Sequence, residues 1–317
     1  MSNDNLPVQK SEILFLYEST YSIPNGDPFT GEQRYDDETK KVLVSDVRIK
    51  RFIRDYFIAT GADIFVVSDK SALETDEKLK GSGAALRMRA LKGKYGQDAE
   101  VQRAKAKGKA EIDTLRLMQK CIDVRLFGGI STEEGDAVNL TGPVQFALLN
   151  PSLNKADLRI HQNTSVFSSS EEKSRGAIGT TTVVPYSLNQ IHGWINPYSA
   201  RHTGLSEADV KEMFKALWES VNNANTRTKS NQNSLLLLQV VYAEPTKKLY
   251  GVDRFIKLEP KEKRDEQIRN SDDYSLDFSR LKEAVNSPVV SAVNFYTEKK
   301  ELRDELNNAS KFVEMSL

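Results

Sequence analysis

A group of basic residues in one predicted helix could bind phosphate. Ser45 or Asp46 can cap a helix whose apolar residues recur at helical spacing, namely Ile49, Phe52, Ile53, Tyr56 and Phe57. On a helical wheel, Arg51 lies opposite this apolar face, with Arg48 and Arg54 beside it and Lys50 at its margin. Guanidinium groups and the amide groups of a helix N-terminus both favour phosphate oxygens. The pattern is compatible with a phosphate-binding face, but taken alone it favours a solvated helix surface, because most charged stripes on helices are only that.

Three aspartates near this helix could support a different chemistry. Asp27 lies in the turn sequence Asn25-Gly-Asp-Pro28, and Asp36 and Asp37 follow it. Carboxylate oxygens are the ligands that hard cations prefer, and such cations promote phosphodiester hydrolysis. The spacing does not fix the three carboxylates on one surface, so a turn that only reverses the chain is the favoured interpretation.

The sequence contains no recognisable motif for other kinds of catalysis. The sequence contains no zinc-binding HExxH, no phosphate-binding P-loop, no nucleophile elbow and no dinucleotide-binding glycine motif. His161, His192 and His202 are far apart, and Cys121 is the one cysteine, so neither a disulfide framework nor a thiolate zinc site is predicted. We therefore expect no catalytic residues, no metal and no cofactor.

The elements that must position the basic helix follow from apolar periodicity. Predicted strands lie at Glu12–Tyr17, Ala62–Val67, Pro143–Leu148, Val183–Pro197, Leu235–Ala243 and Val289–Tyr296. Predicted helices begin near Ser45, near Ser206 and near Leu276. The long polar stretch 154–182 predicts two extended arms of a hairpin around a Ser- and Glu-rich tip.

Composition limits the function classes. The 317 residues include 45 Lys and Arg against 45 Asp and Glu, so a protein that is basic over its whole surface is excluded. Charge is nevertheless uneven, because residues 78–110 carry ten basic and two acidic residues and few large apolar ones. This stretch indicates an insertion or mobile arm. With no signal sequence and no membrane-spanning stretch apparent, the expected location is the cytoplasm.

Several segments, taken in order, resemble one known family. They are the strand and PNGDP loop at Glu12–Pro28, the helix Leu43–Tyr56, Asp123–Gly128, Leu140–Phe146 and Val184–Ile195. Together they look like the Cas7 backbone subunit of type I CRISPR surveillance complexes (Cascade), closest to type I-B, with type I-C next. The resemblance covers most of the chain.

The resemblance implies an α+β fold, a modified RNA-recognition-motif (RRM, ferredoxin-like) palm. In this reading residues 1–317 form one RRM-like palm domain with two insertions. Residues 68–122 form a fingers or helical region, and residues 154–182 form a β-hairpin thumb. Many copies would stack head to tail along the guide RNA, which is a heterologous, non-closing interface that gives a helical filament.

The resemblance also implies RNA-binding residues. They are Asn25 and Gly26 in the first loop, Ser45, Arg48, Lys50, Arg51 and Arg54 in the helix, and Gln162, Asn163, Thr164, Phe167, Arg175, Gly176 and Ile178 in the thumb. Relatives often carry further basic residues where this chain has Gly176–Thr182.

The function implied is a noncatalytic scaffold that binds CRISPR guide RNA. Its expected partners are the guide RNA, the target DNA strand that pairs with it, further copies of the chain and other Cascade subunits, without a membrane. Two alternatives stay open: a metal-dependent ribonuclease that cuts target RNA through Asp27, Asp36 or Asp37, as type III relatives do, and a general single-stranded RNA-binding protein.

Overall fold

The computed structural model describes residues 6–67, 83–104, 110–132, 136–164 and 178–317. Their elements are mixed α and β with one large sheet, which confirms the α+β prediction at that level. The strands are β1 (Ser11–Ser22), β2 (Tyr35–Asp36), β3 (Lys41–Ser45), β4 (Gln102–Ala104), β5 (Ala110–Ile112), β6 (Gly128–Ser131), β7 (Val138–Thr141), β8 (Val144–Phe146), β9 (Leu149–Lys155), β10 (Arg159–Thr164), β11 (Ile178–Ile195), β12 (Gln232–Tyr242), β13 (Lys257–Pro260), β14 (Tyr274–Asp277), β15 (Val290–Tyr296) and β16 (Phe312–Glu314). The helices are α1 (Asp46–Ala59), α2 (Gly83–Tyr95), α3 (Thr114–Gln119), α4 (Ile122–Phe127), α5 (Pro197–Thr203), α6 (Glu207–Asn222), α7 (Ser279–Ala284) and α8 (Lys300–Asn307).

The chain divides into two compact units. Of the described residues, the first unit comprises those within 1–11, 53–145 and 194–216, and the second comprises those within 12–52, 146–193 and 217–317.

The large sheet belongs mainly to the second unit. Its strand order is β16-β15-β12-β1-β11-β9-β3-β2, and β10 pairs with β11 off this path. The central strands are buried on both faces, which explains why β1 and β12 read as continuous apolar runs in the sequence. Trp218 is 1% exposed and packs edge-on against Tyr296, with ring centroids 4.8 Å apart. This aromatic contact fixes the C-terminal part of α6 against the sheet.

The first unit has its own apolar cluster. Met88 and Leu91 of α2 are buried there together with Val101, Leu117 and Cys121. The prediction that residues 78–110 form an arm without core is therefore wrong for α2. The physical reason is that Met88 and Leu91 are three positions apart, which places both side chains on one face of the helix, and Tyr95 packs against the same cluster.

The strand predicted at Ala62–Val67 is also absent, since residues 62–67 have no strand conformation. The amide groups of Phe65 and Val66 donate to the carboxylate of Asp123, at 2.6 and 3.1 Å. A buried side chain thus satisfies the backbone donors that a strand would satisfy with a neighbouring strand.

The arms of the polar stretch are strands that pair with each other. β10 pairs antiparallel with the start of β11, in a register that places Arg159 opposite Val183 and Thr164 opposite Ile178. Residues 165–177, between these arms, lie outside the described residues.

Among the helices in the described part of the chain, none combines the length and the apolar character that a bilayer crossing requires.

Candidate nucleic-acid interface

The first turn of α1 is anchored by one buried amide side chain. Asn25 is 6% exposed, and its Oδ1 accepts hydrogen bonds from both the backbone N and the Oγ of Ser45, each at 2.7 Å. The Ser45 Oγ in turn accepts from the backbone N of Arg48 at 3.4 Å, which is the N-cap interaction predicted for this helix. The turn sequence and the helix start are therefore held together as one structure.

The turn itself is held by a second buried amide. Gln33 Oε1 accepts from the backbone N of Asn25 at 2.9 Å, and its Nε2 donates to the carbonyl groups of Arg34 and Leu43 at 2.7 and 3.0 Å. Gly26 and Gln33 form an isolated antiparallel bridge. Residues 25–33 therefore form a compact loop beside α1.

A cavity of about 530 Å³ lies between this loop and the helix start. Five residues that the sequence resemblance implicates in RNA binding line it together: Asn25, Gly26, Ser45, Arg48 and Arg51. The other lining residues are Pro28, Arg34, Asp46, Val47, Leu148 and Leu149. The structure thus brings together residues that are more than twenty positions apart in the chain.

The cavity combines apolar side chains with positive charge. Val47 and Leu148 are 70% and 75% exposed, and Phe29, next to the lining residue Pro28, is 96% exposed. The guanidinium of Arg48 stacks over the Phe52 ring, 3.7 Å from its centroid. Exposed apolar side chains beside guanidinium groups suit a single-stranded nucleic acid, whose bases stack on apolar surface while its phosphates pair with cations.

A second cation lies close to Arg48. Lys229 donates its Nζ to the carbonyl of Ile23 at 2.6 Å. Burial, together with the nearby charge of Arg48, lowers the pKa of Lys229 to about 8. Two cations held near each other favour a bound anion, because each adds to the positive potential at the other.

Two of the implicated helix residues, Lys50 and Arg54, pair with carboxylates of this chain. The Nε of Arg54 donates to the fully buried Asp123 at 2.8 Å, and its guanidinium lies 5.3 Å from the centroid of the Phe127 ring. Lys50 pairs with Asp46 across one helical turn at 3.3 Å. Neither Lys50 nor Arg54 lines the cavity.

The aspartates do not gather into a metal site. Asp27 accepts from the backbone N of Phe29 at 2.9 Å and pairs with Arg34 at 3.0 Å, and these interactions, the first above all, hold the pKa of its carboxyl below the usual value. Asp36 accepts from Thr39 Oγ1 at 2.6 Å, which also lowers its pKa. Within the described ranges, no group of three or more His, Cys, Asp or Glu residues is arranged to hold a metal ion.

The implicated thumb residues are described only in part. Gln162 is exposed on β10, opposite Thr180. Asn163 faces Gly179 and Thr164 faces Ile178 in the antiparallel register. Phe167, Arg175 and Gly176 lie outside the described residues.

Sequence reasoning missed several residues of this region, among them Arg34, Leu148 and Lys229. Arg34 lies in a polar stretch with no periodicity, and Leu148 reads as one more apolar residue of a strand. Lys229 reaches Ile23 from a loop 206 residues away in the chain. No local pattern reports so distant a contact.

Comparison with known proteins identifies the family. The family model described as "CRISPR-associated protein Cas7" matches residues 9–279, which is most of the chain. The chain belongs to the Cas7 family. The CRISPR-associated protein Cas7 of Haloferax volcanii is 27% identical over 299 residues, covering 88% of this chain and 83% of that protein.

Two solved structures share the fold. A chain of a CRISPR RNA-guided surveillance complex in its pre-nicking form superposes with a TM-score of 0.54 at 12% identity, covering 97% of this chain and 96% of that one. A chain of another CRISPR RNA-guided surveillance complex superposes with a TM-score of 0.50 at 13% identity, covering 92% and 90%.

Proposed function

We propose that this protein is a noncatalytic backbone subunit of a type I CRISPR surveillance complex and that it binds the guide RNA. The observation that carries the proposal is the cavity at the start of α1, where Asn25, Gly26, Ser45, Arg48 and Arg51 meet. Membership of the Cas7 family supports the same conclusion.

The proposal assigns the cavity to the sugar-phosphate backbone of the RNA. Sequence is read by base pairing with the target, so the protein needs to hold phosphates and leave the Watson–Crick edges exposed. Arg48 and Arg51 supply charge for the phosphates, while Val47 and Leu148 supply apolar surface for sugars or bases. We include Lys50, Arg54 and the thumb residues given above in the proposed RNA-binding set.

The proposal extends to architecture and assembly. Residues 1–317 would form one RRM-like palm with fingers at 68–122 and a thumb at 154–182, closest to the type I-B branch. Copies would stack head to tail along the guide RNA in the cytoplasm, beside other Cascade subunits, and the guide would pair with the target DNA strand. The equal numbers of acidic and basic residues suit such stacking, because strongly cationic copies would repel one another.

The ribonuclease alternative has less support. It requires Asp27, Asp36 or Asp37 to ligate a metal, whereas Asp27 already pairs with Arg34 and Asp36 caps its own turn. The general RNA-binding alternative explains the cavity but not the antiparallel arms of residues 159–164 and 178–183.

The test is a titration of the purified protein onto labelled single-stranded RNAs of increasing length, with Mg²⁺ present. Mass measurement gives the number of bound copies, and a denaturing gel gives the integrity of the RNA. We expect copies to increase stepwise, at a fixed number of nucleotides per copy, on intact RNA.

Two results would overturn the proposal. One bound copy on every RNA length would indicate a general RNA-binding protein. RNA cleavage that an Asp27→Asn variant abolishes, and an Arg254→Gln variant retains, would indicate the ribonuclease.

A further inference from the structure

A second, polar cavity lies where β1 ends. It has a volume of about 240 Å³, several times the roughly 30 Å³ that one water occupies in the liquid. Two residues that can carry positive charge, His161 and Arg227, line it together with the hydroxyl-bearing residues Tyr21, Ser22, Thr181 and Thr228. Among the lining residues that the structure describes, none is a carboxylate. This donor-rich set favours an anion.

One of these hydroxyl groups lacks a partner. Ser22 is 2% exposed, and its Oγ makes no hydrogen bond with any residue in the described part of the chain. A buried hydroxyl without a partner costs free energy, so this end of β1 is energetically unfavourable in the protein as it stands.

The backbone at the same position is strained. Tyr21 has a φ of +46°, a conformation that is unfavourable for a bulky residue. Backbone hydrogen bonds from Thr20 N to Asn231 O and from Ile23 N to Thr228 O, at 3.0 and 2.8 Å, hold it on either side. Strain that the surroundings maintain in this way occurs preferentially at binding sites.

A half-buried cation, Lys229, lies against the same lining residues. Lys229 Nζ is 2.6 Å from the carbonyl oxygen of Ile23 and 3.3 Å from Thr228 Oγ1, and Ile23 and Thr228 both line the polar cavity. The positive charge of Arg48, which lines the cavity at α1, contributes to the lowered pKa of Lys229. Lys229 therefore lies within the electrostatic influence of the first cavity while it contacts residues of the second.

We propose that the polar cavity lined by Ser22, His161 and Arg227 is a second phosphate site, which binds a phosphodiester group of the same single-stranded RNA. The identity of the phosphate source rests on the proposed function, whereas the anion site itself does not. Arg227 would provide the main charge, and the hydroxyl groups and His161 would provide further hydrogen bonds.

The anion site is tested directly by NMR of the histidine rings. The chain has three histidines, so selectively labelled protein gives three ring signals that single His→Gln variants can assign. Inorganic phosphate is titrated against sodium chloride at equal ionic strength. We expect the His161 signal to shift and saturate with phosphate, and the signals of His192 and His202 to stay unchanged.

An Arg227→Gln variant and its control make the test specific. Loss of one charge-assisted hydrogen bond should weaken phosphate binding about tenfold or more. Lys247→Gln removes the same charge from an exposed loop residue and should leave binding unchanged. A His161 signal that does not shift, or that saturates equally in the Arg227→Gln variant, would overturn the site.

Measurement of RNA affinity identifies the source of the phosphate. If the cavity binds an RNA phosphodiester, Arg227→Gln should lower the salt dependence of RNA affinity by about 0.7 in the slope of log K against log salt concentration. A normal slope together with saturating inorganic phosphate would assign the site to free phosphate and overturn the RNA claim. Failure of the wild-type protein to bind RNA at all would instead overturn the proposed function, while the phosphate titration would still decide the site.

Discussion

The sharpest prediction concerns the two guanidinium groups of the cavity at α1. We expect an Arg48→Gln, Arg51→Gln double variant to bind single-stranded RNA more weakly than the wild-type protein. Both residues line the cavity, and Gln keeps part of each side chain's polarity while removing its charge.

The magnitude follows from counterion release. Each phosphate contact with single-stranded nucleic acid contributes about 0.7 to the slope of log K against log salt concentration. At about 0.1 M monovalent salt, one contact corresponds to roughly fivefold in affinity, and two contacts to roughly 25-fold. The double variant should therefore lose about 25-fold in affinity and about 1.4 in slope.

The assay is fluorescence anisotropy of a labelled RNA at several salt concentrations. The matched control is a Lys247→Gln, Lys248→Gln double variant, which loses the same charge from two exposed loop residues. Equal losses in the two double variants would refute the reasoning, since only net charge would then matter. An unchanged slope in the Arg48 and Arg51 variant would refute it as well.

Four further predictions concern stability and the effect of pH on stability and RNA affinity. Asp123→Ala leaves the Arg54 guanidinium and the amides of Phe65 and Val66 without their buried acceptor, so the free energy of unfolding should fall by about 3–5 kcal/mol. Gly142→Ala should lower it by about 1–3 kcal/mol, because the added Cβ would lie 2.0 Å from the carbonyl carbon of Phe127. The pKa of Lys229 is lowered from its usual 10.5 to about 8. Between these two pH values the unfolded chain binds more protons at Lys229 than the native chain, so this group makes the protein more stable as pH rises from 8 to 10.5. RNA affinity should change in the opposite direction, falling by up to about fivefold above pH 8 as the Lys229 charge is lost.

Each of these predictions has a measurement and a control. Urea unfolding reports the two stability changes, with Asp37→Ala as an exposed carboxylate control and Gly93→Ala as a glycine whose added Cβ meets nothing within 4 Å. Variants that unfold at the wild-type urea concentration would contradict the buried contacts. RNA anisotropy from pH 7 upwards tests Lys229, and a Lys229→Met variant with the same pH dependence as the wild-type protein would contradict its role.

Elements with strong local signals were predictable from the sequence. The helix from Asp46 has a capping serine, an apolar stripe and a terminating Gly61 with φ +80°, and the structure contains all three. The helix from Glu207 likewise begins with reciprocal hydrogen bonds between Ser206 and Asp209. In both cases short-range hydrogen bonds and periodicity are sufficient.

Elements that depend on distant partners were not predictable in this way. Residues 62–67 have strand-like composition, but the carboxylate of Asp123, about sixty positions away, accepts from the backbone N of Phe65 and of Val66. The same carboxylate binds Arg54, which helical spacing alone assigned to the basic face. A helical wheel predicts the direction in which each side chain leaves the helix, but it does not predict which residues of other elements that side chain contacts.

The candidate site likewise contains residues that the sequence indicated and residues that only distant contacts bring into place. Family resemblance placed Asn25 and Ser45 in one functional set, and the structure explains the pairing by the hydrogen bonds from Ser45 to Asn25 Oδ1. Lys229 and the polar cavity at Ser22 escaped prediction because they form only when a distant loop packs against the end of β1.

The central claim is that single-stranded RNA lies in the cavity formed by the loop after β1 and the start of α1. Photocrosslinking of a bound RNA, followed by mass spectrometry of the crosslinked peptides, tests this claim most directly. We predict crosslinks within residues 25–34 and 45–51. Efficient crosslinks that fall only elsewhere, for example on the charged surface of residues 300–307, would contradict it.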